Sequence, residues 1–394
     1  MVKINSYLLI ILFAITGCKE KKQAIDIIGD DLITVDVMTT DYPIKELILQ
    51  DFMDVEYIAL ETNDDFITQG YVQAIGQKIV VVKNGINDGD IFIYSRKTGE
   101  AIRRINHKGQ GAEEYVTISG IVLDEDRHEM YVIDNVAKRM LVYNLNGKYK
   151  RSFKFQKNAM YKKSYNFDKQ NLICYNFSSS NEGQSFAIVS KQDGSITQEI
   201  QIPFEEKKTI YIFLRDEAND MTYGAAPSAY PIIPVPNNNW ILVEPSSDTI
   251  YSYSSEYEMK PFLTRVPSIQ SMNPEVFLFP SVVTDRYCFM GIVKKEYSFN
   301  TGKGFPSTYL MYDRQEKSLF RYTVHNNDYS YKNVVNMVIT PENNEVAFYH
   351  KIEPYGLIDS YKKGELKGKL KKIAATLDKD SNPVIMLIKH KNSD

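Results

Sequence analysis

The chain has 394 residues, with 47 lysines and arginines against 50 aspartates and glutamates, for a formal net charge of −3. Near balance excludes the basic field of a nucleic-acid-binding protein. At 25% charged and 43% apolar residues, the composition is that of a globular fold and not of a disordered or fibrous chain.

The first segment is Met1 to Gly17. Lys3 supplies a positive start, Tyr7 to Ile15 a short apolar run, and Ile15-Thr16-Gly17 leads into Cys18. The run is too short to span a bilayer, which takes about 20 apolar residues, and reads as a secretory signal. The sequence "LFAITGCKEKK", Leu12 to Lys22, resembles the lipobox of bacterial lipoproteins. That resemblance implies lipidation of Cys18, loss of residues 1–17 and a tether over 18–30. Lys19 stands where an inner-membrane lipoprotein carries aspartate, so the resemblance places the anchor in the outer membrane of a Gram-negative cell, facing the periplasm or the surface.

From residue 31 onward a unit recurs. "DIFIYSRKTGEAIRRI" (Asp90 to Ile105), "KRMLVYNLNGKYKRSFKF" (Lys138 to Phe155) and "SFAIVSKQDGSITQEIQI" (Ser185 to Ile202) each read strand, turn, strand. "DTIYSYSSEYEMKPFLTRV" (Asp248 to Val266) and "TYLMYDRQEKSLFRYTV" (Thr308 to Val324) repeat the pattern. The turns KTGE, LNGK and QDGS place glycine where a hairpin needs positive φ. Their strands alternate with period two, as half-buried strands do. Another apolar pair precedes each hairpin, and "NVVNMVITPENNEVAFYH" opens a sixth unit. Four antiparallel strands at this spacing, repeated, predict an all-β fold, a six-bladed β-propeller spanning 31–394. Insertions around 205–232 and 295–307 are expected as loops on one rim.

At the C-terminus "GELKGKLKKIAATL" spaces Leu366, Leu370, Ile373, Ala374 and Leu377 as on a helix, predicted over 364–379. Lys367, Lys369, Lys371 and Lys372 form its solvated face. Asn382-Pro383 stops the helix, and "VIMLIKH" is expected to join "VEYIALE", Val55 to Glu61, in one blade that closes the ring.

The run Ile102 to Phe153 resembles the six-bladed propeller lipoproteins of anaerobic gut bacteria, relatives of NHL-repeat propellers. Their glycine-rich loop, strand pair and hairpin match His107 to Tyr115, Asp124 to Asp134 and Met140 to Gly147. Ala112 and Glu113 depart from the Pro-Gly common in that loop. The resemblance implies the fold; the family has no single activity to carry over.

Candidate binding residues sit where loops meet that scaffold. In Lys108-Gly109-Gln110-Gly111 two glycines free backbone N–H groups beside a lysine, an arrangement suited to an anion, or simply to turn geometry. It lacks the Gly-Lys-Ser/Thr end of a Walker loop. Tyr115, Asp134, Lys138 and Arg139 complete the set, with Asp134 also readable as a turn cap. No catalytic group is identifiable: Glu113 and Glu114 are adjacent and would face opposite sides of a strand, and no Gly-x-Ser-x-Gly elbow occurs. Five scattered histidines and no CxxC pair give no metal site, and no cofactor is implied. Cys174 and Cys288 read as separate buried thiols, or as a single disulfide in an oxidising compartment, and Trp240 as a packing residue or a sugar platform. The function expected is a lipid-anchored binding module for an envelope protein or glycan, attached to the membrane through Cys18. The alternative is a hydrolase or lyase acting on polysaccharide at the channel mouth, for which His107, Tyr115, Asp134 and Arg139 would have to converge there.

Overall fold

A computed structural model describes residues 32–39, 41–156, 159–177 and 185–391; Cys18 and the signal segment lie outside the described residues. Blade one is Tyr71–Ile75, Ile79–Lys83, Asp90–Ser95 and Ala101–Asn106. Blade two is Gly120–Asp124, Glu129–Asp134, Arg139–Asn144 and Tyr149–Lys154, and blade three Tyr161–Asn166, Asn171–Asn176, Phe186–Ser190 and Ile196–Ile200. Blade four is Ile232–Val235, Asn239–Leu242, Thr249–Ser254 and Met259–Val266. Blade five is Val276–Val283, Tyr287–Lys294, Ser307–Asp313 and Ser318–Asn326.

Blade six closes the ring as expected. Val384–His390 pairs on one side with Val346–Ile352 and on the other with Met53–Ala59 from the N-terminal segment. Its innermost layer is an irregular segment ending at Asn343, held by Glu342 N–H donating to Ala347 O (3.0 Å) and Asn343 N–H to Val346 O (2.9 Å).

Burial explains the alternation in the sequence. The core is six apolar clusters, one in each seam between neighbouring blades. Phe92, Val80 and Val82 of blade one meet Ile385 and Leu387 of blade six, for example, while Ile91, Val81 and Ile93 face blade two. Successive residues of a strand therefore serve opposite seams. Cys174 lies in the seam of blades two and three and Cys288 in that of blades four and five; both are free, and burial pushes each thiol up to about 12. Trp240 is fully buried against Phe167, ring centroids 4.7 Å apart.

The hairpin glycines serve packing as well as turning. Gly99, Gly147 and Gly194 all have positive φ. A Cβ on Gly99 would stand 1.9 Å from Ala59 O, and one on Gly194 2.2 Å from the Phe153 ring. Each turn thus abuts the outer strand of the preceding blade.

The N-terminal segment does more than close blade six. Ile33–Asp36 adds in parallel to the outer strand of blade four, and Ile44–Ile48 to that of blade five. The edges of three consecutive blades are covered in turn.

The C-terminal helix is shorter than its periodicity suggests. Helices Pro354–Lys362 and Gly368–Ala374 stand between two strands of blade six. Gly364 turns at φ 72° after the first. Residues 365–367 then pair with the chain at Asp328 to Ser330, with Ser330 N–H donating to Glu365 O and Lys367 N–H to Asp328 O, both 2.8 Å. Leu366, Leu370 and Ala374 are buried as the spacing required. No helix among the described residues is long and apolar enough to cross a membrane.

Antiparallel order gives the disc two unlike faces. One, the turn face, carries the turns between first and second and between third and fourth strands. The other, the crossing face, carries second-to-third turns and the blade-to-blade crossings. Both expected insertions are hairpins on the crossing face: Ile212–Asp216 with Met221–Ala225, and Tyr297–Ser298 with Lys303–Gly304. The two C-terminal helices share that face.

Candidate functional site

The residues singled out in the sequence gather where blade one crosses to blade two. Tyr115 is fully buried. Its hydroxyl donates to Gly89 O (2.6 Å) and accepts from His107 N–H (3.0 Å), and burial pushes the phenol up to about 12. Asp134, also fully buried, accepts from the N–H groups of Val116 (2.7 Å), Val136 (3.1 Å) and Ala137 (3.0 Å). The Arg139 guanidinium donates to Gly111 O (2.8 Å), Ala112 O (3.2 Å) and Glu114 O. Lys108 Nζ donates to Asn87 O. Lys138 adopts φ 49° in the turn after Asp134 and points to solvent, as does Gln110.

The place an anion would take in the glycine loop is filled by the chain itself. Glu114 Oε2 accepts from Gly111 N–H at 2.9 Å, and a Cβ on Gly109 would stand 1.9 Å from the same oxygen. His107 stacks on Tyr143 (5.1 Å, 8° between planes) and its Nε2 lies 2.8 Å from Gly147 O. Lys108, Tyr115 and Asp134, and Arg139 through its two terminal nitrogens, thus hold the crossing together. None of the six candidates, nor His107, lines the central cavity.

That cavity, about 860 Å3, occupies the channel on the turn face. Its walls are Gln73–Gln77 of blade one, Ile121–Arg127 of blade two and Lys163–Gln170 of blade three, with Lys191 and Asn238. Blade six supplies Glu342–Glu345 by reaching across the channel. Lys163 Nζ of blade three donates to Pro341 O (2.8 Å) and Glu342 Oε2 (3.1 Å), and Tyr165 O–H to Pro341 O (3.1 Å). Asn344 Nδ2 donates to Val235 O (2.5 Å) and Asn239 O (3.3 Å) of blade four. Blade three stands opposite blade six, so Pro341–Asn344 bars the channel. The sequence shows only "ITPENNEV", which reads as an ordinary hairpin turn; the proline is the one sign of a broken strand.

Charges around the cavity are matched in place. Lys191, 2% exposed, donates to Asp124 Oδ2 (2.7 Å) and Asp168 O (2.8 Å). Arg96 holds Glu345 (2.8 Å) and Glu56, and Glu345 sits below the usual carboxylate range because these bonds outweigh its burial. Glu125 accepts from the N–H groups of Gln77 (2.7 Å), Lys78 (3.0 Å) and Ile79 (3.1 Å). Arg96 and Lys191 each precede a hairpin glycine by three residues and reach back to the preceding blade, a repeat of function that the repeat of sequence carries. Among the described residues no group of three or more His, Cys, Asp or Glu side chains is placed to hold a metal ion.

The crossing face offers a different surface. On the hairpin Ile212–Asp216/Met221–Ala225, Phe213 is 65% exposed and Leu214, Met221 and Tyr223 are exposed with it, next to Tyr211. Tyr211 and Phe213 stack on one side (5.8 Å), while the cross-strand pair Leu214 and Tyr223 occupies the other.

The family model for DUF4934, a domain of unknown function, matches residues 32–389. No curated protein matches the chain. Among solved structures, a protein of Bacteroides fragilis provisionally assigned as exported is similar at 14% identity and a TM-score of 0.57, over 92% of this chain and all of that one. A DUF4221 family member from Bacteroides vulgatus is similar at 11% identity and a TM-score of 0.46, over 87% of this chain and all of that one. At such identities the likeness concerns the fold.

Proposed function

The chain belongs to the DUF4934 family, and from that premise we propose that it is an extracytoplasmic binding module, anchored in the outer membrane through Cys18, that captures a partner protein on its crossing face. The observation that carries the reading is the hairpin 212–225. A two-stranded ribbon is marginal alone in water, and this one exposes apolar side chains on both faces. Contiguous exposed apolar surface of this kind marks interaction sites, and aromatic anchors dominate such contacts. Its tip, with Asp216, Glu217 and Asp220 against Arg215, favours a partner with basic residues around an apolar centre. Export is supported by the signal-like first 17 residues and by the shared fold of the Bacteroides fragilis protein provisionally assigned as exported.

The test is crosslinking of the full chain in its own cells, followed by mass spectrometry. One dominant protein, crosslinked through 204–225 and lost in Phe213→Glu, supports the reading. Capture that is unchanged by Phe213→Glu, or the absence of any captured protein, overturns it.

A further inference from the structure

We propose that the cavity on the turn face is a second site, one that binds a small neutral polyhydroxylated ligand, a mono- or disaccharide. Its volume falls in the range of small-molecule pockets. The barrier Pro341–Asn344 makes it a cup instead of an open pore.

The chemistry of the wall selects the ligand. A charged ligand needs an opposite charge without partners, and every charge of the inner wall has partners. Lys163 is matched by Glu342, Lys191 by Asp124, Glu345 by Arg96, and Glu125 by three backbone N–H groups. Breaking one of these partly buried pairs would strand its other member. The remaining lining charges, Asp126, Arg127, Asp168 and Lys169, sum to zero, and the Asp168 carboxylate accepts from the N–H groups of Gln170 and Asn171 and from Asn171 Nδ2.

What remains is hydrogen-bonding capacity of both senses. Gln73 and Asn344 donate through their amide nitrogens to backbone carbonyls, and Gln77 donates to Glu345. Their amide oxygens accept nothing from the described residues. Lys163 Nζ has two acceptors and three N–H bonds. A hydroxyl both donates and accepts, so neighbouring sugar hydroxyls can bond an amide oxygen and the ammonium together.

The experiment is saturation-transfer NMR on the full chain with galactose, N-acetylglucosamine and cellobiose, and with galacturonate and glucosamine as charged counterparts. At least one neutral sugar is expected to bind in preference to both charged ones. Gln73→Ala and Lys163→Met are each expected to weaken it by about tenfold or more. Gln73 bonds only carbonyls of its own strand, so Gln73→Ala keeps the wild-type melting temperature and isolates binding from folding. The proposal is overturned if no neutral sugar binds, if a charged sugar binds better, or if binding survives both substitutions. Phe213→Glu, on the opposite face, is expected to leave sugar binding untouched, so this site and the partner-binding face fail or stand separately.

Discussion

Tyr115, Asp134 and Arg139 are polar residues whose partners are almost all backbone, which makes them keystones of one crossing. Tyr115→Phe keeps the ring but leaves Gly89 O and His107 N–H without their partner. A buried group left unpaired costs about 1–3 kcal/mol, so urea unfolding of this variant should show a lower midpoint at an unchanged slope. A different residue governs acid behaviour. Burial lowers His390 from 6.5 to about 4, and neither ring nitrogen has a partner among the described residues. The folded state prefers the neutral ring, so the unfolded chain binds the extra proton. His390 thus contributes stability above pH 6.5 that is lost as pH falls towards 4, at most about 3 kcal/mol. Asp313 works in a lower window. Burial raises it, but hydrogen bonds from Arg286 and Lys45 outweigh that and hold it at about 2, below its usual 3.8. Its contribution is present above 3.8 and fades towards 2. Stability measured against pH should fall in two steps, and His390→Gln should flatten the upper one while leaving the lower; an unchanged upper step would show that other groups own it.

At the scale of elements, the clasp between Met53–Ala59 and Val384–His390 depends on Asn382. Its Nδ2 donates to Glu61 O and Phe66 O, both 2.7 Å, and its Oδ1 accepts from Thr68 N–H at 2.9 Å. Asn382→Ala strands several buried groups together, and the loss should exceed that of Tyr115→Phe in the same urea experiment. The hairpin 212–225 is the opposite case. Replacing it with a short Gly-Ser linker removes no seam contact, and stability should change by no more than about 0.5 kcal/mol. The blades were legible because each strand feeds two seams, which prints a period of two. The closing strand was legible because an apolar run followed a helix stop, although it pairs from Met53 and not from Val55. The helix was overextended because Leu366 keeps helical spacing while lying in an extended bridge to Tyr329. The covering strands Ile33–Asp36 and Ile44–Ile48 were missed, since nothing local tells a four- or five-residue segment which distant edge it will join.

At the scale of the molecule, the candidate site was the least legible feature. The loop sequence pointed to the crossing of blades one and two, while the cavity depends on five blades converging at residues that are unremarkable one at a time. The two faces also bear on how the protein stands on a membrane. The fourth strand of blade four runs from the turn face to the crossing face, and Ile33–Asp36 lies parallel to it. The chain therefore enters the propeller from the turn-face side. A chain anchored at Cys18 has 13 residues before Leu32, a reach of at most about 45 Å, so the crossing face with its hairpin should stand away from the bilayer. Cysteine labelling tests this cleanly, because Cys174 and Cys288 are buried, with their thiols raised to about 12, and should stay silent. New cysteines at Glu217, on the hairpin tip, and at Asp126, on the cavity rim, are both exposed in the folded chain. With a bulky maleimide on membrane-bound protein, Glu217→Cys should label several-fold faster than Asp126→Cys. In the Cys18→Ser background, which should release the protein into the soluble fraction, the two rates should converge. Equal rates on the membrane would mean that the tether swivels and imposes no orientation, and a Cys18→Ser protein still held in the membrane fraction would rule out the lipid anchor itself.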